Sequence, residues 1–202
     1  VSGRFVVARK ATFVALMVVW LAMPLVRLNG HPLVFVDVET RRFYLFGGTF
    51  NAQDIWLLFF LLTGLAFGLV YVTALLGRVW CGWACPQTVF LEGIFRPIER
   101  LTEGAREARI RLSKAPWGVE KMLRKGAKHA LYILAALFVA HVFVSYFVSV
   151  PKMIQMVQKN PAEHPEAFAW ALALTGIFYA NFSWFREQMC LVVCPYGRLQ
   201  ST

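Results

Sequence analysis

Charged side chains are scarce in this chain of 202 residues. Asp, Glu, Lys and Arg together make up 16% of it, whereas hydrophobic residues make up 58%. An ordinary soluble domain has about 25% charged residues, so the composition argues against that class. The apolar residues also come in long uncharged blocks, which are typical of membrane-spanning helices. We therefore expect a membrane protein.

Acidic residues are scarcer than basic ones, with 11 Asp and Glu against 21 Lys and Arg and a formal net charge of +10. Such a charge can indicate a nucleic-acid partner. The basic residues lie between the apolar blocks, however, so anionic lipid headgroups explain them better. The sequence predicts a lipid bilayer as partner and no nucleic acid.

A cleavable signal peptide is also absent from the pattern, because no small-residue cleavage site follows the first apolar block. The chain starts at Val1 instead of Met and stops at Thr202, a few residues after a cysteine motif. We expect it to be a piece of a longer protein.

Cysteine is rare, and all of it lies in one repeated motif. The motif C-x3-C-P occurs twice, with an offset of 109 residues, at Cys81, Cys85 and Pro86 and again at Cys190, Cys194 and Pro195. A redox dithiol would more usually show C-x-x-C, which does not occur here. The repeat indicates that the four cysteines act as two matched pairs.

Four apolar segments predict membrane-spanning helices, at residues 11–26, 54–76, 130–150 and 167–185. Pro24 is expected to kink or end the first helix. Asn51 and Asp54 predict an N-terminal cap for the second helix. One cysteine motif follows the second helix and the other follows the fourth, which predicts a duplicated helix pair.

Two smaller elements complete the expected fold. β-rich runs at residues 33–38 and 43–48 flank a polar turn and predict a small outer hairpin. After Pro86, apolar residues at helical spacing predict a surface helix, with Phe90, Ile94, Ile98 and Leu101 on one face. The fold class is thus an all-α membrane protein with four transmembrane helices, a hairpin and a surface helix. We expect one membrane domain, 1–202, with repeats at about 11–101 and 128–202 and a basic loop at 102–127.

The distribution of Lys and Arg predicts the orientation. Sixteen of them lie at the N-terminus, in the loop from 77 to 128 and in the tail, against five in the other loops. Loops rich in Lys and Arg stay in the cytoplasm. Both termini and both cysteine motifs are therefore expected on the cytoplasmic side of a bacterial inner membrane.

Cysteines four residues apart lie on one face of a helical turn, so each pair can bind one metal centre. Soft thiolates select iron–sulfur clusters, Zn(II) or Cu(I), and a reducing cytoplasm disfavours disulfides. Four thiolates satisfy a 4Fe-4S cluster, although its common motif uses C-x2-C spacing. The alternative is that the cysteines are small buried residues that only pack.

Other residues are weaker candidates. Arg78, Arg186 and Arg198 flank the motifs, where they either raise a cluster's reduction potential or anchor helix ends at the headgroups. His129 and His141 do not share a helix face, and His141 is either functional or hydrogen-bonded between helices. An outer-loop copper site is also conceivable, from Met153, Met156 and His164.

The segments RVWCGWACPQTVFLEGIFRPIER and WFREQMCLVVCPYGRLQ, at residues 78–100 and 184–200, closely resemble the membrane part of the CcoG/FixG/RdxA family of cytochrome c oxidase accessory proteins. Residues 30–54 and 141–148 also resemble segments of that family. The resemblance implies a polyferredoxin-like protein that assists the assembly of a haem-copper oxidase together with other assembly factors. It also implies reduction of Cu(II) to Cu(I), as a component of a cupric reductase.

Family members also carry ferredoxin-type C-x2-C-x2-C-x3-C-P motifs, which this sequence lacks. The resemblance therefore assigns no residue here to those clusters, and their domains would be partners absent from this chain. It carries over only Cys81, Cys85, Cys190 and Cys194, for a 4Fe-4S cluster or copper. The alternative functions are a copper or zinc binding or transport module without electron transfer, and a purely structural anchor.

Overall fold

Helices make up most of the computed structural model, which describes residues 3–28, 31–37, 42–77, 79–151, 153–154, 165–186 and 188–194. Four helices are long and apolar enough to cross a membrane, at Arg4–Leu25, Trp56–Leu75, Val119–Val144 and Phe168–Phe185. Few of their residues are buried within the protein, as lipid-facing helices require. The prediction of a mostly helical protein with four helices able to cross a membrane is confirmed.

The chain divides into two compact units. The first comprises Val1–Cys85 with Ala140–Ala171, and the second comprises Pro86–Val139 with Leu172–Thr202. Each unit is built by its own contacts and is described separately below.

The first unit starts with helix α1, Arg4–Leu25. Pro24 lies inside this helix, which ends at the next residue, as expected for a proline that cannot donate a backbone hydrogen bond. Helix α2, Ile55–Leu76, follows a 3₁₀ turn at Ala52–Asp54. The Asp54 carboxylate accepts a hydrogen bond from the Asn51 amide at 3.0 Å, which confirms the acidic half of the predicted cap.

Between these helices lie five short strands: β1 (Arg27–Leu28), β2 (His31–Pro32), β3 (Val34–Asp37), β4 (Arg42–Leu45) and β5 (Gly48–Asn51). Strands β3 and β4 form the predicted hairpin, with Phe35 opposite Tyr44. Strand β5 was not predicted, and it pairs with β4 through a tight turn. Phe46 and Gly47 both have positive φ in that turn, as a type I′ turn requires.

Tyr146 joins this sheet to the first helix. Its carbonyl accepts a hydrogen bond from the Val36 amide at 2.9 Å. Its hydroxyl donates to the Trp20 carbonyl of α1 at 2.6 Å. A residue 126 positions after Trp20 in the sequence thus fixes the sheet to α1 within the first unit.

The second unit contains the segment predicted as a surface helix. It is helical from Pro86 to Thr102, as α4 (Pro86–Phe90), a π-helical turn (Leu91–Phe95) and α5 (Arg96–Thr102). Helix α6 (Arg106–Lys114) and helix α7 (Val119–Val144) follow, with α7 in this unit as far as Val139. Helix α8 (Pro165–Ala180) belongs to this unit from Leu172 and continues into a π-helical turn at Asn181–Phe185.

The core of this unit consists of Leu91, Phe95, Tyr132 and Phe182. The ring of Phe95 stacks on Phe182 at 4.4 Å and meets Tyr132 edge-on at 5.0 Å. The predicted apolar face at Phe90 and Ile94 packs beside this core instead of forming its centre. The π-helical turn explains the difference, because its extra residue rotates the following side chains relative to a regular helix.

Candidate functional site

The first cysteine motif begins where α2 ends. Gly77 has a φ of +60° and breaks the helix, and the short helix α3 (Val79–Trp83) then carries Cys81. Helix α3 belongs to the first unit, which contains residues 1–85. The Cys85 amide donates to the Trp80 carbonyl at 3.0 Å, five residues back, which closes a wide turn around the motif. Both cysteines are partly buried and neither forms a disulfide.

A cation from the start of the chain holds this turn. The Arg9 guanidinium Nε donates to the Gly82 carbonyl at 2.9 Å. Gly82 lies between the two cysteines of the motif, so Arg9 places a positive charge beside them. Sequence reasoning missed Arg9, because it stands 73 residues from Gly82 and no local pattern links the two.

The second cysteine motif begins after the π-helical turn that ends α8. Arg186 has a φ of +20°, and a further π-helical turn at Met189–Val193 then carries Cys190. The Cys194 amide donates to the Met189 carbonyl at 2.9 Å, again five residues back. Cys190 is exposed and Cys194 is partly buried, and neither forms a disulfide.

The two motifs share their local backbone geometry at the same offset of 109 residues as their sequence. Gly77 and Arg186 are equivalent positions, and each breaks a long helix with a positive φ. Trp80 and Met189 are also equivalent, and each accepts the amide hydrogen of the second cysteine of its motif. The two motifs therefore share a positive φ at the helix break and the hydrogen bond that closes the turn.

Each motif by itself brings two thiols to one turn, whereas a 4Fe-4S cluster takes four thiolates. Among the residues that the structure describes, no group of three or more His, Cys, Asp or Glu side chains is close enough to bind a metal ion. The donor set of four cysteines without disulfides fits a cluster in kind and number. Neither motif alone supplies the four thiolates of such a cluster.

A buried carboxylate lies at the centre of the polar contacts in the second unit. Glu99 of α5 is 3% exposed. It forms an ion pair with Arg109 of α6 at 2.6 Å and a second ion pair with Arg186. The Arg186 guanidinium also donates to the hydroxyl of Tyr132 on α7 at 3.1 Å. Four elements of the second unit thus meet at Glu99. One of them, the turn that ends at Arg186, precedes Cys190 by four residues in the sequence.

The ionisation of Glu99 is set by its partners. Burial is the largest single influence and would raise the pKa of its carboxyl, but the hydrogen bond and charge of Arg186, the hydrogen bond of Tyr132 and the charge of Arg109 outweigh it. The pKa of Glu99 is therefore below its ordinary value. Burial would lower the pKa of Arg186, but the hydrogen bond with Glu99 and the electrostatic interactions with Tyr132, Glu99 and Glu103 raise this pKa overall. Both groups are charged at neutral pH.

A pair of side-chain amides fixes the start of α4 to the same turn. Gln87 and Asn181 exchange two hydrogen bonds, at 2.9 and 3.3 Å. The Gln87 side chain also donates to the Arg186 carbonyl at 3.2 Å. The sequence contains a signal for this contact that sequence reasoning missed. Asn181 is a single side-chain amide in an apolar segment, where polar groups usually have a role.

The remaining candidates are not brought to a metal site within the described part of the chain. His129 Nδ1 forms a hydrogen bond with the Tyr179 hydroxyl at 2.9 Å. His141 on α7 and Met153 are both partly buried. Arg78, Pro195, Arg198, Met156 and His164 lie outside the described residues.

Residues 55–103 match the family described as a 4Fe-4S binding domain, and this match contains the first cysteine motif. Together with four helices able to cross a membrane, it indicates a multi-pass membrane protein of the iron–sulfur class.

Similarity to characterised proteins identifies the family. The chain is 36% identical over 168 residues to the nitrogen fixation protein FixG of Rhizobium meliloti, covering 83% of this chain and 32% of FixG. It is 32% identical over 206 residues to protein RdxA of Cereibacter sphaeroides, covering 100% of this chain and 44% of RdxA. Protein RdxB of the same organism is 36% identical over 168 residues, or 83% of this chain and 35% of RdxB.

The chain belongs to the FixG/RdxA family, as its sequence segments predicted. It spans between about a third and less than half of the length of these relatives. No solved structure matches it.

Proposed function

We propose that this chain is the membrane part of a redox protein, in which the thiolates of Cys81, Cys85, Cys190 and Cys194 bind a 4Fe-4S cluster and the cluster transfers electrons. The observation that carries the proposal is the match of residues 55–103 to a 4Fe-4S binding domain, since it includes the first cysteine pair. The second pair, with the same wide turn, supplies the two further thiolates that a cluster needs.

The proposed architecture is one membrane domain made of two copies of a helix pair, at about 11–101 and 128–202, joined by the basic loop 102–127. Each copy ends in C-x3-C-P. The equivalent backbone conformations of Gly77 and Arg186 support a duplication, because unrelated helix ends would have no reason to break alike at the same offset.

When bound, a 4Fe-4S cluster supplies one-electron chemistry, and the chain supplies ligands and surroundings. The four thiolates carry negative charge. Arg9 places a guanidinium group beside the first motif, and positive charge near a cluster raises its reduction potential. The apolar helices before each motif restrict water to one side of it.

The setting follows from the charge distribution and from the relatives. We propose that the termini and the cysteine motifs lie on the cytoplasmic side of a bacterial inner membrane, which the excess of Lys and Arg in these segments supports. FixG is named as a nitrogen fixation protein. We extend to this chain a redox role in nitrogen fixation or in the assembly of a haem-copper oxidase, with oxidase assembly factors and ferredoxin-type domains as partners.

Anaerobic reconstitution with iron and sulfide tests the proposal. The purified chain in detergent should bind four irons and four sulfides and show the electron paramagnetic resonance of a reduced 4Fe-4S cluster. Cys81→Ser with Cys85→Ser should abolish binding, as should Cys190→Ser with Cys194→Ser. Ala84→Ser is the matched control, because it adds a hydroxyl within the motif and removes no thiol. Retention of the full cluster by both double variants would refute the proposal.

A second function is copper handling, either reduction of Cu(II) to Cu(I) with one electron or Cu(I) or Zn(II) binding without electron transfer. The observation in its favour is that each motif alone presents two thiols, a soft donor pair that suits Cu(I). Redox titration discriminates between the functions. Stoichiometric Cu(I) or Zn(II) binding without a redox-active iron centre would favour the second.

A further inference from the structure

Arg186 has a backbone conformation that L residues rarely adopt. Its φ of +20° and ψ of −101° occur where the first motif has Gly77, at φ +60° and ψ −136°. Glycine adopts a positive φ without steric cost, whereas arginine has a Cβ that clashes there. The turn before Cys190 is therefore strained, and contacts from elsewhere must hold it.

The contacts of Arg186 provide that restraint. Its amide donates to the Asn181 carbonyl at 2.6 Å, and its Nε donates to the Phe182 carbonyl at 3.0 Å. Its Nη2 donates to Glu99 and to the Tyr132 hydroxyl. Its carbonyl accepts the Gln87 amide at 3.2 Å. Main chain and side chain are thus both engaged, by residues from four different elements.

We infer that Arg186 is a positioning residue, whose side-chain contacts with Glu99 and Tyr132 keep the turn that carries Cys190 and Cys194 formed before any cluster binds. The inferred benefit of this turn rests on the proposed function, because a preformed turn presents the thiols of Cys190 and Cys194 together to a cluster. Its structural content is independent of that function, because the contacts exist in the protein alone.

The test uses Arg186→Ala, which removes the side-chain contacts and keeps the Cβ that is strained at a positive φ. Thiol alkylation by a maleimide is followed at each cysteine in the cluster-free chain by mass spectrometry. Cys194, which is partly buried, should react at least fivefold faster in Arg186→Ala, and Cys81 in the other motif should react at its former rate. Arg186→Gly, which relieves the strain, should bring Cys194 back toward the parent rate. Glu99→Gln should produce the same pattern more weakly.

Arg111→Gln serves as the control for loss of one positive charge, because Arg111 makes none of these contacts within the described residues. Unchanged Cys194 reactivity in Arg186→Ala would overturn the inference, and so would an equal increase at all four cysteines, which would report general unfolding. A parent chain that binds no iron would refute the proposed function but leave this result standing.

A second feature, in the basic part of the second unit, carries an independent inference. A cleft of about 330 Å³ lies between α6 and α7 and is lined by four cations and one carboxylate: Arg106, Arg109, Lys125, Lys128 and Glu103. Glu103 pairs with Lys128 at 2.7 Å, and Glu99 pairs with Arg109. Within the described residues, Arg106 and Lys125 have no carboxylate partner, so the cleft has a positive excess charge.

Helix α7 presents an apolar surface on the face opposite the cleft. That face is made of exposed residues at helical spacing, Val119, Met122, Leu123, Gly126, Ala127 and Ala130. Trp117 is 78% exposed beside the cleft, with the ammonium groups of Lys121 and Lys125 over its ring at 5.2 and 5.5 Å. Exposed Trp with Lys is typical of the membrane interface, and α7 then continues as a membrane-spanning helix.

We propose that the cleft binds the phosphodiester headgroup of an anionic phospholipid. A headgroup phosphate matches the charge of Arg106 and Lys125. The exposed Trp117 beside Lys125 and the start of a membrane-spanning helix at Val119 support a position of the cleft at the level of the lipid headgroups.

Native mass spectrometry of the detergent-solubilised chain tests this, with phosphatidylglycerol, phosphatidylcholine and inorganic phosphate as separate probes. Phosphatidylglycerol should bind at least tenfold more tightly than phosphatidylcholine. Arg106→Gln with Lys125→Gln should remove that preference, whereas Arg111→Gln with Lys114→Gln, with the same charge change outside the cleft, should retain it. Equal loss in both double variants would refute a specific site, and competition by inorganic phosphate at equal concentration would point to a free anion instead.

Discussion

At the scale of single residues, Glu99 is the side chain on which the second unit depends most. It is buried and carries two ion pairs, with Arg109 and Arg186, whose side chains are about one-third exposed. A buried carboxylate is tolerated only when such partners satisfy it. Removing it leaves two guanidinium groups without their counter-charge in a poorly hydrated place, which costs more than the pair itself contributes.

We therefore predict that Glu99→Gln destabilises the protein by about 2–4 kcal/mol, at the lower end for a buried pair because both arginines keep some hydration. Thermal unfolding in detergent, followed by circular dichroism, should show a lower Tm. Glu107→Gln is the matched control, since Glu107 is exposed on α6. A Tm equal to that of the control would contradict a central role for Glu99.

The lowered pKa of Glu99 also predicts a pH dependence. A carboxyl with a depressed pKa in the folded state stabilises that state above its unfolded pKa, near 4.5, and this contribution is lost as the pH falls through the folded value. The Tm difference between the parent and Glu99→Gln should be constant from pH 5 to about 7 and should shrink below about pH 4.5. A difference that persists unchanged at pH 3 would exclude this origin.

At the scale of elements, the helix breaks before the cysteine motifs are the decisive features. Gly77→Ala introduces a Cβ at a φ of +60°, so we predict a destabilisation of about 1–3 kcal/mol and a displaced first motif. Gly64→Ala in α2 is the control, because an added Cβ there meets no atom within 4 Å and favours the helix by about 0.5–1 kcal/mol. Opposite shifts in Tm are expected from the two variants.

The elements that were predicted well are those with local signals. Helix α2 was predicted to within a residue of its bounds, because Asp54 marks its start and Gly77 its end. Helix α7 was predicted to begin at 130 but begins at Val119. The many charged residues in its first turns favour a loop when only the sequence is considered. In the structure these turns are helical, and Glu120 and Arg124 form an i, i+4 ion pair at 2.8 Å on the helix surface.

The site shows the same division between local and distant signals. The spacing of the four cysteines is local and marks the candidate ligands, which no comparison tests individually. The residues around them are distant in sequence: Gln87 bonds to Asn181 across 94 residues, and Glu99 pairs with Arg186 across 87. Such contacts depend on which helices pack together, and one sequence contains no pattern that specifies this.

At the scale of the whole molecule, the excess of basic residues in particular loops predicts the orientation. In inverted membrane vesicles, a membrane-impermeant maleimide should label Cys190, which is exposed, whereas intact spheroplasts should remain unlabelled. Thr49→Cys, introduced into a variant with all four cysteines replaced by Ser, should show the reverse, because strand β5 is predicted on the outer side. Labelling of both from the same side would refute the orientation.

The helix break before the first cysteine motif is at a glycine, whereas the break before the second is at an arginine held by other residues. This difference affects the order in which the two motifs form during synthesis. Gly77 can bend the chain as soon as it leaves the ribosome, because glycine needs no help from other residues to do so. Arg186 needs Gln87, Glu99 and Tyr132, which are all synthesised earlier. Folding during synthesis proceeds from the N-terminus, so the first cysteine pair is ready while the second still awaits a docking event. The nascent chain thus completes its thiol set only when the second unit has closed around Glu99.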